Sequence, residues 1–170
     1  AVGAEYNRKM VEYSRAMAEK AGVAEKAQFI EGDMFAADIS EATVLALFLL
    51  PDNLRKLTAK FLDMKPGSRS VANGCAIHGG EADERGKREG DCGAWCTAYL
   101  YIVPAKVAGT WKLKGGELSL EQQFQKVSGT LNSGGKRVPI TNGRLRGDLI
   151  TFTAGGSDYS ARVKGQTMQG

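Results

Sequence analysis

The 170-residue chain carries 23 Lys+Arg against 19 Asp+Glu, a formal net charge of +4, with 42% hydrophobic and 25% charged residues. That balance excludes a disordered segment and allows one domain or two small ones. Basic residues such as Lys9, Arg15, Lys56 and Arg69 alternate with acids instead of forming a stripe, so no nucleic-acid partner is expected. The longest apolar run, Val44 to Pro51, is too short to span a bilayer, and no membrane partner is expected either. No signal peptide is evident, and the missing initiator Met points to a start downstream of a natural terminus.

In chain order, Ala1 to Glu5 reads as a short strand ending in an acid. Asn7 can cap a helix with Met10, Val11, Met17, Ala18 and Ala21 on one face, stopped by Gly22. Phe29-Ile30 is the centre of the next strand, which runs into Glu31-Gly32-Asp33-Met34-Phe35. Thr43 to Leu50 is continuously apolar, as in a parallel strand covered on both faces. Pro51-Asp52-Asn53 starts a helix with Leu54, Leu57, Phe61 and Leu62 inward, and Lys65-Pro66-Gly67 turns into a strand from Ser68 to Ala72. Strands and helices alternating over short connections predict α/β architecture.

Asn73 to Asp91 is Gly-rich and charged, without periodicity, and reads as a long loop. Tyr99 to Val103 returns to strand character. Beyond Gly109 the period becomes two, with turn signals at Gly115-Gly116, Asn132 to Gly135, Asn142-Gly143, Gly147-Asp148, Gly155-Gly156 and Gly165. Short strands at that spacing predict an antiparallel β meander, curled or closed into a small barrel. The expected divisions are residues 1–73, an α/β region; 74–108, a loop and late strand; and 109–170, the β domain.

Two features carry chemistry. Glu5 and Asp33 follow consecutive strands with a helix between, and carboxylates so placed can accept from ribose hydroxyls and from an exocyclic amine. Taken singly, Glu5 also reads as an acid near a helix start, and Asp33 as a turn-forming residue. Cys92 and Cys96 stand in a C-x3-C spacing, and with Cys75 and His78 they match no standard zinc template, so no metal is expected. A Cys92–Cys96 disulfide would place the protein in an oxidising compartment such as the periplasm; free thiols would suit the cytoplasm.

Five blocks in order resemble class I S-adenosylmethionine-dependent methyltransferases downstream of their glycine motif: Val2 to Asn7, Ala21 to Val23, Phe29 to Phe35, Ala42 through Pro51, and Leu62 to Arg69. The Leu49-Leu50-Pro51 and Lys65-Pro66-Gly67 forms are similar to a bacterial branch related to protein-lysine methyltransferases. The resemblance implies a partial Rossmann-like sheet ahead of the meander, with S-adenosyl-L-methionine as cofactor. It implies that Glu5, beside Tyr6, holds the ribose, that Asp33 holds the adenine amine, and that Met34 or Phe35 packs on the purine. Leu50 would end the strand lying beside the transferred methyl. In the family a central strand and glycine loop precede Val2–Glu5, and no match to them is found here. Cofactor binding and activity are therefore expected to be weakened, and the unpaired sheet edges open to pairing in a homo-oligomer. The acceptor, a protein or a small molecule, stays open. The competing expectation is a non-catalytic module in which the β domain binds a ligand or a protein.

Overall fold

The computed structural model describes residues 1–170, the side chain of Ala94 excepted. The chain forms two compact units, Ala1–Ile39 and Ser40–Gly170.

In the first unit, β1 (Val2–Glu5) pairs in parallel with β2 (Gln28–Glu31), joined by α1 (Arg8–Lys20). Asn7 starts α1 as predicted: its Oδ1 accepts from the Lys9 N–H at 3.0 Å, satisfying a donor that the helix leaves orphaned. Gly22, at φ +67°, lets the chain leave the helix in a left-handed conformation. Of the predicted inward face only Val11 and Ala18 are buried; Met10 and Met17 stay nearly half exposed. Arg15 pins the helix to the sheet, donating from Nε and Nη2 to the Phe29 carbonyl at 3.0 and 2.6 Å.

The second unit begins with β3 (Val44–Leu47), α2 (Pro51–Leu62) and β4 (Arg69–Asn73), in which β3 and β4 run parallel. Pro51 opens α2 at the position where a missing N–H costs nothing, and Leu54, Leu57 and Phe61 are buried as the spacing predicts. β3 is shorter than the apolar run, and Val44, Phe48 and Leu50 are all more than half exposed. The expectation of a strand covered on both faces is thus corrected: no residue of β3 is fully buried, and among the described residues β4 is its only strand partner. The predicted loop over Asn73–Asp91 contains β5 (Glu84–Lys87), an exposed strand paired antiparallel with β6 (Thr97–Ile102), which in turn pairs with β4.

Seven consecutive strands then form the meander: β7 (Gly109–Leu113), β8 (Gly116–Gln123), β9 (Lys126–Ser133), β10 (Lys136–Arg146), β11 (Leu149–Ala154), β12 (Ser157–Lys164) and β13 (Thr167–Gln169). The sheet is open, with β7 and β13 as its edges. Its inner face packs Leu118, Leu120, Leu131, Leu145, Ile150 and Phe152 into one cluster; each such side chain withdrawn from water contributes about 1.5–3 kcal/mol.

Two turn signals behave differently from expectation. Asn142-Gly143 is no hairpin end but lies inside β10, where the register with both neighbours shifts. Asn142 sits at φ +54°, and a Cβ on Gly143 would meet the Val127 carbonyl oxygen at 2.1 Å, so this is a bulge that needs both residues. Conversely, the β8–β9 turn falls on Phe124-Gln125, which carries no Gly or Pro. Phe124 takes φ +54° because its ring fits against Gly79 and Gly80, where an added Cβ would come within 3.2 and 2.8 Å of it. Gln122 staples the turn, accepting from the Val107 N–H at 2.7 Å and donating to the carbonyls of Ala105 and Phe124 at 2.9 and 2.8 Å.

Candidate functional site

The parallel register Val2↔Gln28 to Glu5↔Glu31 brings β1 and β2 to an end on the same edge. One further bond, from the Gly32 N–H to the Glu5 carbonyl at 3.0 Å, extends the pairing so that Asp33 emerges just past that edge. The two predicted acids therefore converge through backbone geometry alone.

Each carboxylate is partly committed to its own turn. Glu5 Oε1 accepts from the Asn7 N–H at 2.7 Å, fixing the side chain at the entry to α1. Asp33 Oδ1 accepts from the Phe35 N–H at 2.8 Å, while the Asp33 carbonyl receives the N–H groups of Ala36 and Ala37, each at 3.0 Å. Both structural roles foreseen for these acids are thus real. They also leave capacity, because an ionised carboxylate offers about four acceptor sites on two oxygens. Both side chains are exposed, as a ligand contact requires.

Tyr6, Arg8, Glu31, Gly32 and Asp33 line an open cleft at this edge. Tyr6 is 82% exposed at its rim, Phe35 is partly exposed, and Met34 is half-buried. Glu31 and Arg8 are the cleft residues that sequence reasoning passed over. Glu31 is signalled only by its register opposite Glu5, and Arg8 pairs with Glu12 at 3.1 Å within α1. Leu50 belongs to the second unit. It is the N-cap of α2, its carbonyl receives the Asn53 and Leu54 N–H groups at 3.0 and 3.1 Å, and its side chain is 66% exposed.

In the second unit Cys92 and Cys96 are joined in a disulfide and Cys75 is a half-buried free thiol. A cavity of about 30 Å³ between α2, β4, β6 and Phe124 is lined by Ser70, Ile77 and Tyr101. It has room for one or two waters rather than an organic ligand. With the concave face of the meander filled by its own side chains, the carboxyl edge of β1 and β2 is the better candidate for a nucleotide-like molecule.

Comparisons with known proteins address the family of the chain. The model of the ANTKMT methyltransferase domain matches residues 1–84. A protein-lysine N-methyltransferase of Saccharolobus islandicus (strain REY15A) is 38% identical over 104 residues, or 61% of this chain; the chain spans 64% of that curated relative's length. The crystal structure of an RNA methyltransferase from Salinibacter ruber, in complex with S-adenosyl-L-homocysteine, is 36% identical with a TM-score of 0.57, covering 62% of this chain and 67% of that one. The edge that Glu5 and Asp33 share lies inside the residues matched by the family model, and the chain belongs to the S-adenosylmethionine-dependent methyltransferase family.

Proposed function

We propose that this chain takes part in methyl transfer from S-adenosyl-L-methionine to the side-chain amine of a lysine in a protein. The observation that carries the reading is the joint emergence of Glu5 and Asp33 on one sheet edge, each with acceptor capacity left over. Glu5 receives the ribose hydroxyls and Asp33 the adenine amine, while Met34 and Phe35 flank the purine and Tyr6 borders the cleft. Support for a lysine acceptor comes from the Saccharolobus islandicus relative and from basic residues scattered among acids rather than gathered for phosphates.

When bound, S-adenosyl-L-methionine supplies an already activated methyl carbon, so the protein's task is alignment more than acid–base chemistry. Leu50 and Pro51, between β3 and α2, present exposed apolar surface. Asp52, in the first turn of α2 and highly exposed, pairs with Arg55 at 3.1 Å and offers a carboxylate of the kind that could take the proton the amine must lose. The family's glycine-rich loop has no counterpart within residues 1–170, and the affinity of this chain by itself is accordingly modest. The Cys92–Cys96 bridge favours an oxidising compartment.

Calorimetric titration with S-adenosylhomocysteine is the test. Loss of a hydrogen bond to a charged group costs about 1.5–3 kcal/mol, so Glu5→Ala and Asp33→Ala should each weaken binding by roughly ten- to a hundredfold. Unchanged affinity in both variants, or no binding by a well-folded chain, would refute the assignment.

A further inference from the structure

The meander, residues 109–170, carries nine Lys and Arg against four Asp and Glu, so the excess positive charge of the chain resides there. Its two rims treat that charge differently. Consecutive antiparallel strands turn at alternate ends, so the turns at Lys114-Gly115, Gly134-Gly135 and Gly155-Gly156 share one rim. Those at Phe124-Gln125, Gly147-Asp148 and Gly165-Gln166 share the other. On this second rim Lys126 pairs with Glu81, Arg144 with Glu81 and Asp83, Arg146 with Glu84, and Arg162 with Asp148. On the first, Lys112, Lys114, Lys136 and Arg137 are all exposed, and among the described residues none of them is ion-paired with an acid.

Strand register gathers these four. Lys112, Glu117, Asn132 and Arg137 stand opposite one another across β7, β8, β9 and β10. Their row faces away from the core, because the next row inward, Trp111, Leu118, Leu131 and Val138, packs into the apolar cluster. Lys136 lies one residue nearer the tip, opposite Ser133, and Lys114 occupies the neighbouring turn. Three inter-strand spacings of roughly 4.8 Å make this basic rim about 14 Å wide. The tip row runs through Leu113, Gly116, Ser133 and Lys136. Gly116 has no room for a side chain there, since a Cβ would meet the Asn132 carbonyl oxygen at 2.1 Å. Leu113 is 40% exposed beside that gap, so the cations flank an apolar foothold.

We propose that this rim docks an extended acidic segment of a partner protein, one that carries an apolar side chain among its carboxylates. The inference goes beyond the methyl-transfer reading and stands on the second unit alone. Four unpaired cations around Glu117 leave a local positive surplus, and such a field attracts and orients a chain of opposite charge. An extended segment rises about 3.3 Å per residue, so about four residues cross the rim, with the apolar one seated at Leu113. A nucleic acid fits less well, because its affinity grows with the number of phosphates neutralised. The basic surface is small and ends at β10: the β11–β12 turn brings Asp158 and no cation, and Glu117 interrupts the row itself. A second copy presenting the same rim would be repelled.

The full chain is titrated by fluorescence anisotropy against a dye-labelled short peptide of Asp and Glu around one central Leu, its Asn and Gln counterpart, and a single-stranded RNA of similar length. Affinity for the acidic peptide is expected to fall about threefold in Lys112→Ala/Lys114→Ala and in Lys136→Ala/Arg137→Ala, and about tenfold or more with all four replaced. It should also weaken as salt rises from about 50 to 200 mM. Leu113→Ser should lose about threefold while keeping the salt dependence. Arg162→Ala, on the opposite rim, should bind as the parent does. All the replaced side chains are exposed, and circular dichroism of each variant verifies that the fold is kept. No acidic-peptide binding at low salt, equal binding of the Asn and Gln peptide, parental affinity in the fourfold variant, or the RNA as the tighter ligand would overturn the assignment. So would a dimer in sedimentation that the four replacements dissolve, because a second copy would then occupy the rim.

Discussion

Tyr101 shows how much one buried polar group can carry. Its hydroxyl oxygen accepts from the Ile77 N–H at 2.9 Å, and both residues are buried, so the tyrosine ties the Gly-rich segment after β4 to β6. Tyr101→Phe would leave that amide without its acceptor, at a cost of about 1–3 kcal/mol in urea unfolding. Burial raises the phenol above its ordinary 10.0; the Ile77 amide lowers it and the neighbouring Tyr99 raises it again. A raised folded value means that the unfolded chain ionises first. The stabilising contribution is therefore complete below about pH 10 and lost as pH climbs through the folded value. Stability measured from pH 9 upward should fall more steeply in the parent than in Tyr101→Phe; parallel curves would show that the hydroxyl is not shielded. None of this was visible in sequence, where Tyr101 was one residue of the strand-like run from Tyr99 to Val103, because the partner amide lies 24 residues away. The position of Glu5 and Asp33 at strand ends was legible, since strand ends and acids are both local signals. Their use of one oxygen each on their own turns was equally foreseeable from the helix start and the Gly-Asp turn.

At the scale of elements, legibility followed the locality of the cause. The α1 cap was read from Asn7 alone because an N-cap acts within three residues. Asn7→Ala should cost about 1 kcal/mol and fray the first turn, seen as faster amide exchange at Lys9 and Met10; unchanged exchange there would mean that packing rather than the cap holds the end. The hairpins at Gly134-Gly135 and Gly155-Gly156 were equally readable, because a positive φ selects glycine. The β8–β9 turn escaped because Phe124 tolerates its strained backbone through Gly79 and Gly80, far earlier in the chain. The bulge at Asn142-Gly143 mimicked a turn because the same left-handed residue types serve both. Exposure along β3 was misjudged for a related reason: an apolar run reports what a strand can bury, and only its neighbours determine what it does bury.

For the molecule as a whole, the division at Ile39 and Ser40 predicts uneven stability. The first unit is near the size at which a single core ceases to suffice, and α1 buries only Val11 and Ala18. The meander, by contrast, buries a continuous cluster, with Leu145 and Ile150 fully enclosed and the Leu145 N–H bonded to the Gln125 carbonyl at 2.7 Å. Native-state hydrogen exchange should therefore find the amides of β1 and β2 opening most easily and those of β9 to β11 most slowly. Ligand binding then has a spatial signature. S-Adenosylhomocysteine at about a hundred times its dissociation constant adds roughly 2.7 kcal/mol to every opening that destroys its site. Openings of β1 and β2 lie within that site as assigned, so their amides should slow by about a hundredfold. Amides of the meander that open without disturbing Glu5 or Asp33 should not change. A slowing confined to the meander would move the site away from the Glu5–Asp33 edge. No slowing anywhere under saturating ligand would separate the family's fold from its cofactor in this chain.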